Sequence, residues 1–297
     1  MASIPNITII GAGRLGGALA IALARKNFII ENLAARNFEA AEKIEKLIEP
    51  RPKIITENEF SEITSDVILI TTQDSEIEKV ANRLAKTINN KPQIFHTSGS
   101  LSSEILKDLK AVGCPTGSIH PLVSISDARL GAERFADAYF CIEGDEDALV
   151  TAKKIVEMLG GKSFSIAAEY KALYHASAVT ACGHLVALVD AAIEMLTGCG
   201  LNEKDAQKIL LPLIGSTVGN LEKQNTAQAL TGTFARADAG TLDKHIKILR
   251  ETVSPEALEI YLQLGMRSLQ LAETRNANRE NIEKMRGQIL LAKTNLK

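Results

Sequence analysis

The chain changes its hydropathy rhythm once, near residue 168, and that change sets its architecture. Up to Ala167, short β-rich runs alternate with helical patterns. Ile7–Ile10, Phe28–Ala35, Lys53–Thr56, Asp66–Thr72, Gln93–Thr97, Gly117–His120, Tyr139–Ile142 and Ser163–Ala167 read as strands. Arg14–Lys26, Glu39–Ile48, Ser75–Ile88 and Asp147–Leu159 read as helices between them. Strand and helix in alternation predict an α/β fold, a doubly wound and mostly parallel sheet with helices on both faces.

From Glu169 onward no strand pattern recurs. Tyr170–Thr197, Glu203–Leu221, Leu242–Leu249, Glu256–Thr274 and Glu280–Asn295 carry helical patterns, punctuated by Asn202, by Ser254-Pro255 and by Gly198 and Gly200. The expected organisation is a Rossmann-like dinucleotide-binding domain over residues 1–168 and an all-α domain over residues 169–297.

Composition narrows the function classes. Thirty-four Lys and Arg balance 36 Asp and Glu, for a net charge of -2. Such a chain carries no basic field for a phosphate backbone, so no nucleic-acid partner is expected. Aromatics make up 4% and Trp is absent, so the core must be built of Ala, Leu and Ile. The uncharged stretch Ala172–Val189 contains His175, Gly183 and His184, and reads as a buried helix rather than a membrane span. The opening residues Met1-Ala2-Ser3 have no basic start or cleavage site. Cys114, Cys141, Cys182 and Cys199 show no CxxC spacing, which suits reduced thiols in a cytoplasmic protein. Cys182-Gly183-His184 lacks further ligands at zinc spacing, and no metal is expected.

The most specific motif joins the first strand to the first helix. Gly11-Ala12-Gly13-Arg14-Leu15-Gly16 has the GxGxxG spacing. Its first glycine permits the tight turn, its second lets backbone approach a pyrophosphate, and its third lets helix pack on strand. The helix N-terminus then faces the phosphates, with Arg14 in reach. An acid about 20 residues on would mark NAD. Here Ala35-Arg36-Asn37 ends the second strand, and a cation at that point favours the 2′-phosphate of NADP(H), with Asn37 as a further donor. Thr71, Thr72 and Gln73 end the fourth strand, where open parallel sheets bind ligands.

Candidate chemistry follows at later strand ends. His96-Thr97-Ser98-Gly99-Ser100 and Ser118-Ile119-His120-Pro121 each close a strand, placing Ser98, Gly99 and His120 near a cofactor or substrate. Lys171 and His175, four apart at the start of the long helix, share a face. A Lys ammonium can stabilise the oxygen anion formed on hydride addition, and His175 can orient it or share the proton. His184 falls on another face and reads as structural. A polar loop runs through Thr231, Arg236 and Asp238 towards His245, as either a substrate-binding lining or a capped turn.

Together these motifs resemble a family of Rossmann-like oxidoreductases whose C-terminal all-helical domain is catalogued as of unknown function. The marks are the glycine turn, His96-Thr97-Ser98-Gly99, Ser118-Ile119-His120-Pro121-Leu122, Tyr174-His175-Ala176 and the run from Ala229-Leu230-Thr231-Gly232 to His245. The resemblance implies a fold similar to the 6-phosphogluconate and 3-hydroxyisobutyrate dehydrogenases. In that wider group a Lys and an Asn four residues later touch the reacting oxygen. Lys171 matches the Lys, and His175 stands at the Asn position. Cys182-Gly183 stands where many relatives carry Ser-Asn, and Thr233 where many carry Pro.

The resemblance implies an NADPH-dependent enzyme that reduces a small 2-oxo acid. Ketopantoate is the named candidate, because some members are implicated as alternative ketopantoate reductases. Lys171, His175 and His120 are the expected catalytic residues. Ser98, Gly99, Thr231, Arg236, Asp238 and His245 are expected at the substrate. Competing readings are an imine or deazaflavin reductase on the same scaffold, and a nucleotide-binding sensor without turnover. The helical domain is expected to pair two copies into a homodimer, by analogy with related dehydrogenases.

Overall fold

The structure is a computed structural model that describes residues 4–294. Asn295, at the end of the last expected helix, and the Met1-Ala2-Ser3 start lie outside the described residues. The chain divides into two compact units, Met1–Thr180 and Ala181–Lys297.

The first unit is built on one eight-stranded sheet. Its strands are β1 (Ile7–Ile10), β2 (Ile30–Ala34), β3 (Lys53–Ile55), β4 (Val67–Ile70), β5 (Gln93–His96), β6 (Thr116–Pro121), β7 (Tyr139–Gly144) and β8 (Lys162–Phe164). Their order is β3-β2-β1-β4-β5-β6-β7-β8. All neighbours pair in parallel except β6 and β7, which are antiparallel in a register that sets His120 opposite Cys141. The helices are α1 (Arg14–Ala24), α2 (Phe38–Glu45), α3 (Asp74–Thr87), α4 (Lys107–Ala111), α5 (Ala128–Gly131), α6 (Glu146–Met158) and the start of α7 (Lys171–Gly198). A short 3-10 turn, Glu57–Glu62, follows β3.

Period-two alternation within buried strands explains both layers. Ile7, Ile9, Leu33, Val67 and Leu69 face α1 and α6, with Leu19, Leu23, Ile155 and Val156 behind them. Ile10, Ile68, Ile70 and Ile94 face the other way, against Ile77, Val80, Ala81 and Leu84 of α3 and Leu109 of α4. Apolar on both faces, β1 and β4 take the centre of the sheet.

The second unit is helical throughout its described residues. It holds the remainder of α7, then α8 (Glu203–Leu221), α9 (Thr226–Ala229), α10 (Gly232–Ala235), α11 (Ala239–Thr252), α12 (Pro255–Glu273) and α13 (Arg279–Thr294). Leu242, Ile246, Leu249, Leu258, Leu262, Leu269, Met285 and Ile289 form its core between α11, α12 and α13. Asn202 and Ser254 cap α8 and α12 with their side chains.

One sequence expectation fails here. The apolar stretch expected to be buried is largely exposed within the chain. Helix Ala168–Gly198 is long and apolar enough to cross a membrane, yet its most apolar window is only 6% buried. Leu173 and Val186 are each 70% exposed, and His184 is exposed rather than packed in a core. Apolar character on all sides of a helix signals burial, but does not say by what.

Glycine 16 is the tightest point of the first unit. A Cβ there would lie 2.0 Å from the Gly11 carbonyl oxygen and 2.3 Å from Thr71 Oγ1. Gly16→Ala must therefore push α1 away from β1, at about 1–3 kcal/mol for overpacking. Urea unfolding should show that loss, together with weaker dinucleotide binding; a variant as stable as the parent would contradict this packing.

Candidate active site

Two neighbouring regions at the C-terminal ends of the strands carry the expected residues of the first unit. The first is a cavity of about 690 Å³ lined by Gly11, Ala12, Gly13, Arg36, Asn37, Thr71, Thr72, Gln73, Glu76 and Arg83, among others. Gly11 has φ +109°, a backbone conformation that favours glycine, and its amide donates to the Ala34 carbonyl. At Gly13 a Cβ would meet nothing within 4 Å, so the turn leaves open space beside its backbone. Thr71 Oγ1 donates to the Gly11 carbonyl at 2.7 Å and ties β4 to the turn. Thr72 Oγ1 is buried without a hydrogen-bond partner in a residue that lines the cavity. An open glycine backbone, a helix N-terminus and an orphaned hydroxyl together fit a dinucleotide's phosphates. Arg14 is exposed at the first position of α1, and Leu15 packs on the core instead of lining the cavity.

The adenosine end of such a ligand would meet Arg36 and Asn37. Arg36 is 72% exposed at the side chain and reaches Glu76 Oε2 at 3.4 Å. Asn37 caps α2, its Oδ1 accepting from the Ala40 amide, which leaves its amide hydrogens free for a ligand. Arg83, from α3, donates to Glu57 at 2.7 Å and Asn58 at 2.9 Å. Neither Glu76 nor Arg83 belongs to the glycine-turn pattern, and both were missed in the sequence.

The second region centres on Lys171, which is 1% exposed. Its ammonium donates to the Ser98 carbonyl at 3.2 Å and to Ser118 Oγ at 2.9 Å. Among the described residues it forms no ion pair. Burial holds its pKa below the ordinary lysine value, with Cys141, Glu143 and Asp74 opposing the shift. Among the described residues no hydrogen bond joins Lys171 to His175. His175 Nδ1 is instead buried without a partner.

Ser98 is bonded within the loop after β5. Its hydroxyl donates to Asp74 at 2.9 Å and accepts from the Ser100 and Leu101 amides. The single proton of that hydroxyl is committed, so Ser98 shapes the loop after β5 and presents its carbonyl to Lys171. Gly99, beside it, lies beneath the histidines. A Cβ there would lie 2.5 Å from His175 Nδ1 and 2.7 Å from His120 Nε2.

Tyr174, one of the marks of the resemblance, is a further residue to which sequence reasoning assigned no role. Its hydroxyl stands 2.6 Å from His120 Nδ1. It lies three residues after Lys171, so the helical spacing that paired Lys171 with His175 also points to Tyr174. Burial, then Cys141, pushes the Tyr174 hydroxyl above the ordinary tyrosine value. His120 and His96 both sit at about 4, each lowered first by burial and then by the Lys171 charge. His96 Nδ1 accepts from the Ser98 amide at 3.1 Å, which keeps that nitrogen unprotonated.

The remaining expected substrate residues lie in the second unit. Asp238 caps α11, accepting from the Thr241 amide at 3.0 Å and its hydroxyl at 2.7 Å. Thr231 precedes α10, and Arg236 ends it exposed. His245 Nδ1 meets the Tyr261 hydroxyl at 2.7 Å. The capped-turn alternative thus accounts for Asp238 within its own unit. Among the described residues no group of three His, Cys, Asp or Glu is placed to hold a metal.

Comparison with known proteins agrees with this architecture. A Rossmann-like domain matches residues 3–121, and the Domain of unknown function (DUF2520) matches residues 138–268. No curated protein matches the chain. Protein TM1727 from Thermotoga maritima is 26% identical, with a TM-score of 0.70 over 91% of this chain and 99% of that one. The "putative NADP oxidoreductase" BF3122 from Bacteroides fragilis is 22% identical, with a TM-score of 0.75 over 90% and 100%. Pyrroline carboxylate reductase from Plasmodium falciparum, solved with NADP bound, shares 15% identity and a TM-score of 0.57 over 90% and 98%.

His96 supplies a stability test. Its pKa is about 4 in the fold against 6.5 when free, so the unfolded chain binds the extra proton between those values. Stability from this residue is complete above pH 6.5 and is lost as pH falls towards 4, by up to about 3 kcal/mol. Urea unfolding midpoints should fall across that window, and His96→Asn should remove about half of the fall, His120 supplying the rest; an unchanged slope in the variant would contradict the assignment.

Proposed function

We propose that this chain, which belongs to the Rossmann-like proteins carrying that C-terminal domain of unknown function, is an NADPH-dependent oxidoreductase. We infer that it reduces the carbonyl of a small 2-oxo acid, with ketopantoate as the first candidate. The observation that carries this reading is the buried Lys171 ammonium, held by two neutral oxygens and matched by no ion pair among the described residues. A fixed, unneutralised cation at the strand ends favours a substrate oxygen that becomes negative as it reacts.

NADP(H) is supported by the glycine turn, the open cavity and Arg36. Bound there, the cofactor supplies the hydride. The chain's own groups manage charge and proton. At neutral pH His120 is uncharged, so it serves as a hydrogen-bond donor and not as an imidazolium. With Tyr174 donating to Nδ1, the ring proton is assigned to Nε2, the nitrogen directed at Gly99. His120 Nε2–H then donates a hydrogen bond to the developing oxygen anion, and the Tyr174 hydroxyl, which keeps its own proton, fixes that tautomer by donating to Nδ1. Lys171 stabilises the same charge from beneath the loop. The absent side chain at Gly99 leaves the room.

Imine reduction is the second reading, favoured by the fold likeness to pyrroline carboxylate reductase. An imine protonated before hydride addition becomes a neutral amine directly, so no oxygen anion forms and the reaction depends less on Lys171. Lys171→Met should lower kcat/KM for the 2-oxo acid by about 100-fold or more, as loss of an anion-stabilising donor does. Tyr174→Phe should lower kcat by about tenfold to 100-fold with little change in KM. NADPH oxidation by purified variants measures both, and an unchanged kcat/KM in Lys171→Met would remove the 2-oxo acid reading.

A second copy of the chain is the proposed cover for the exposed apolar helix. Val186, Leu185, Leu211 and Ile214 line a groove of about 850 Å³ between α7 and α8, with acidic Asp190, Glu194 and Glu203 beside Lys204. Apolar helix faces of this extent rarely remain uncovered in a monomer. A cytoplasmic homodimer accounts for the exposure without a membrane. Light scattering on detergent-free protein should give twice the chain mass, and Val186→Glu should halve it; a monodisperse monomer of the parent would reject the pairing.

A further inference from the structure

The cavity carries its own competitor for the cofactor phosphate. Glu76 occupies the first turn of α3, where the helix dipole favours a carboxylate. Its Oε2 faces Arg36 Nη1 at 3.4 Å, and its Oε1 receives Lys79 Nζ at 2.8 Å. The Glu76 side chain is 24% exposed, against 72% for Arg36 and 73% for Lys79. The carboxylate is therefore the most sheltered member of the trio, and Lys79 anchors it from outside. Lys79, then Arg36, holds its pKa below the ordinary glutamate value, so it is charged at neutral pH. Both Arg36 and Glu76 line the cavity. The other cavity guanidinium, Arg83, is held by Glu57 and Asn58, so Arg36 is the cation with the single longer contact.

We propose that Glu76 is a specificity-determining residue that limits how strongly the pocket prefers a 2′-phosphorylated dinucleotide. This rests on the NADP(H) reading of the cavity. A 2′-phosphate at Arg36 must displace the Glu76 contact and then stand near a carboxylate that Lys79 keeps in place. A 2′-hydroxyl meets no such repulsion, and Glu76 can accept its hydrogen bond. The acid that marks NAD pockets at the end of the second strand is absent, but an equivalent charge arrives from the first turn of α3. The pocket then tolerates both cofactors, with its NADPH preference set by the balance between Arg36 and Glu76.

Isothermal titration of the full chain at low salt, with NADPH, NADH, 2′,5′-ADP and 5′-ADP as probes, tests this without turnover. Glu76→Gln should tighten NADPH and 2′,5′-ADP by about threefold to tenfold, the scale of an exposed charge pair, and leave NADH and 5′-ADP unchanged or weaker. The gain should vanish when Arg36→Ala is added. Equal effects on phosphorylated and unphosphorylated probes, or no gain for the phosphorylated pair, would overturn the role of Glu76. A parent chain that binds no probe overturns the dinucleotide reading itself. A parent that binds NADPH and NADH equally, with preference appearing only in Glu76→Gln, supports the proposal.

Discussion

The Lys171 ammonium is the interaction on which the rest of the site depends. It binds the Ser98 carbonyl after β5 and the Ser118 hydroxyl within β6, and so fastens the first turn of α7 to the loop after β5 and to β6. A buried cation without a carboxylate partner is costly, and its neighbours show the strain electrostatically. His96 and His120 are both driven to about 4, with the Lys171 charge second only to burial. One charge therefore ties the loops together and adds to burial in keeping the rings neutral.

This coupling explains why the site is built from neutral donors. Tyr174 keeps its proton, His120 stays neutral, and Ser98 gives its only proton to Asp74. The field of Lys171 would repel a second cation and favours electron-rich oxygen. At the other end of the sheet crevice the charges are paired, Arg36 with Glu76 and Arg83 with Glu57. The two ends thus differ in kind, one carrying unbalanced charge and the other a set of exchangeable pairs.

Much of this was legible because it is local. The glycine turn, Arg36 and the strand ends at Thr71, His96 and His120 follow from short-range spacing, and the structure places them on one edge of the sheet. The Tyr174–His120 pair was not legible, since it joins residues 54 apart through the packing of α7 on β6. Glu76 was missed for the same reason: its partner Arg36 lies 40 residues away. Asp238 read equally well as ligand or cap, and only its contacts with Thr241 separate the two. Helix α7 read as buried because an apolar pattern does not distinguish a helix packed within its own chain from one left exposed by it.

In the proposed site, burial reinforced by the Lys171 charge holds His120 neutral, with its proton on Nε2. Nitrogen-15 NMR of the histidine rings across pH, in the parent and in Lys171→Met, reads that state directly. His120 should titrate near 4 in the parent, with an Nε2–H signature at pH 7, and higher, though still below its free value, once the lysine charge is removed. A parent His120 that titrates at its ordinary value, or one indifferent to Lys171→Met, would contradict this assignment.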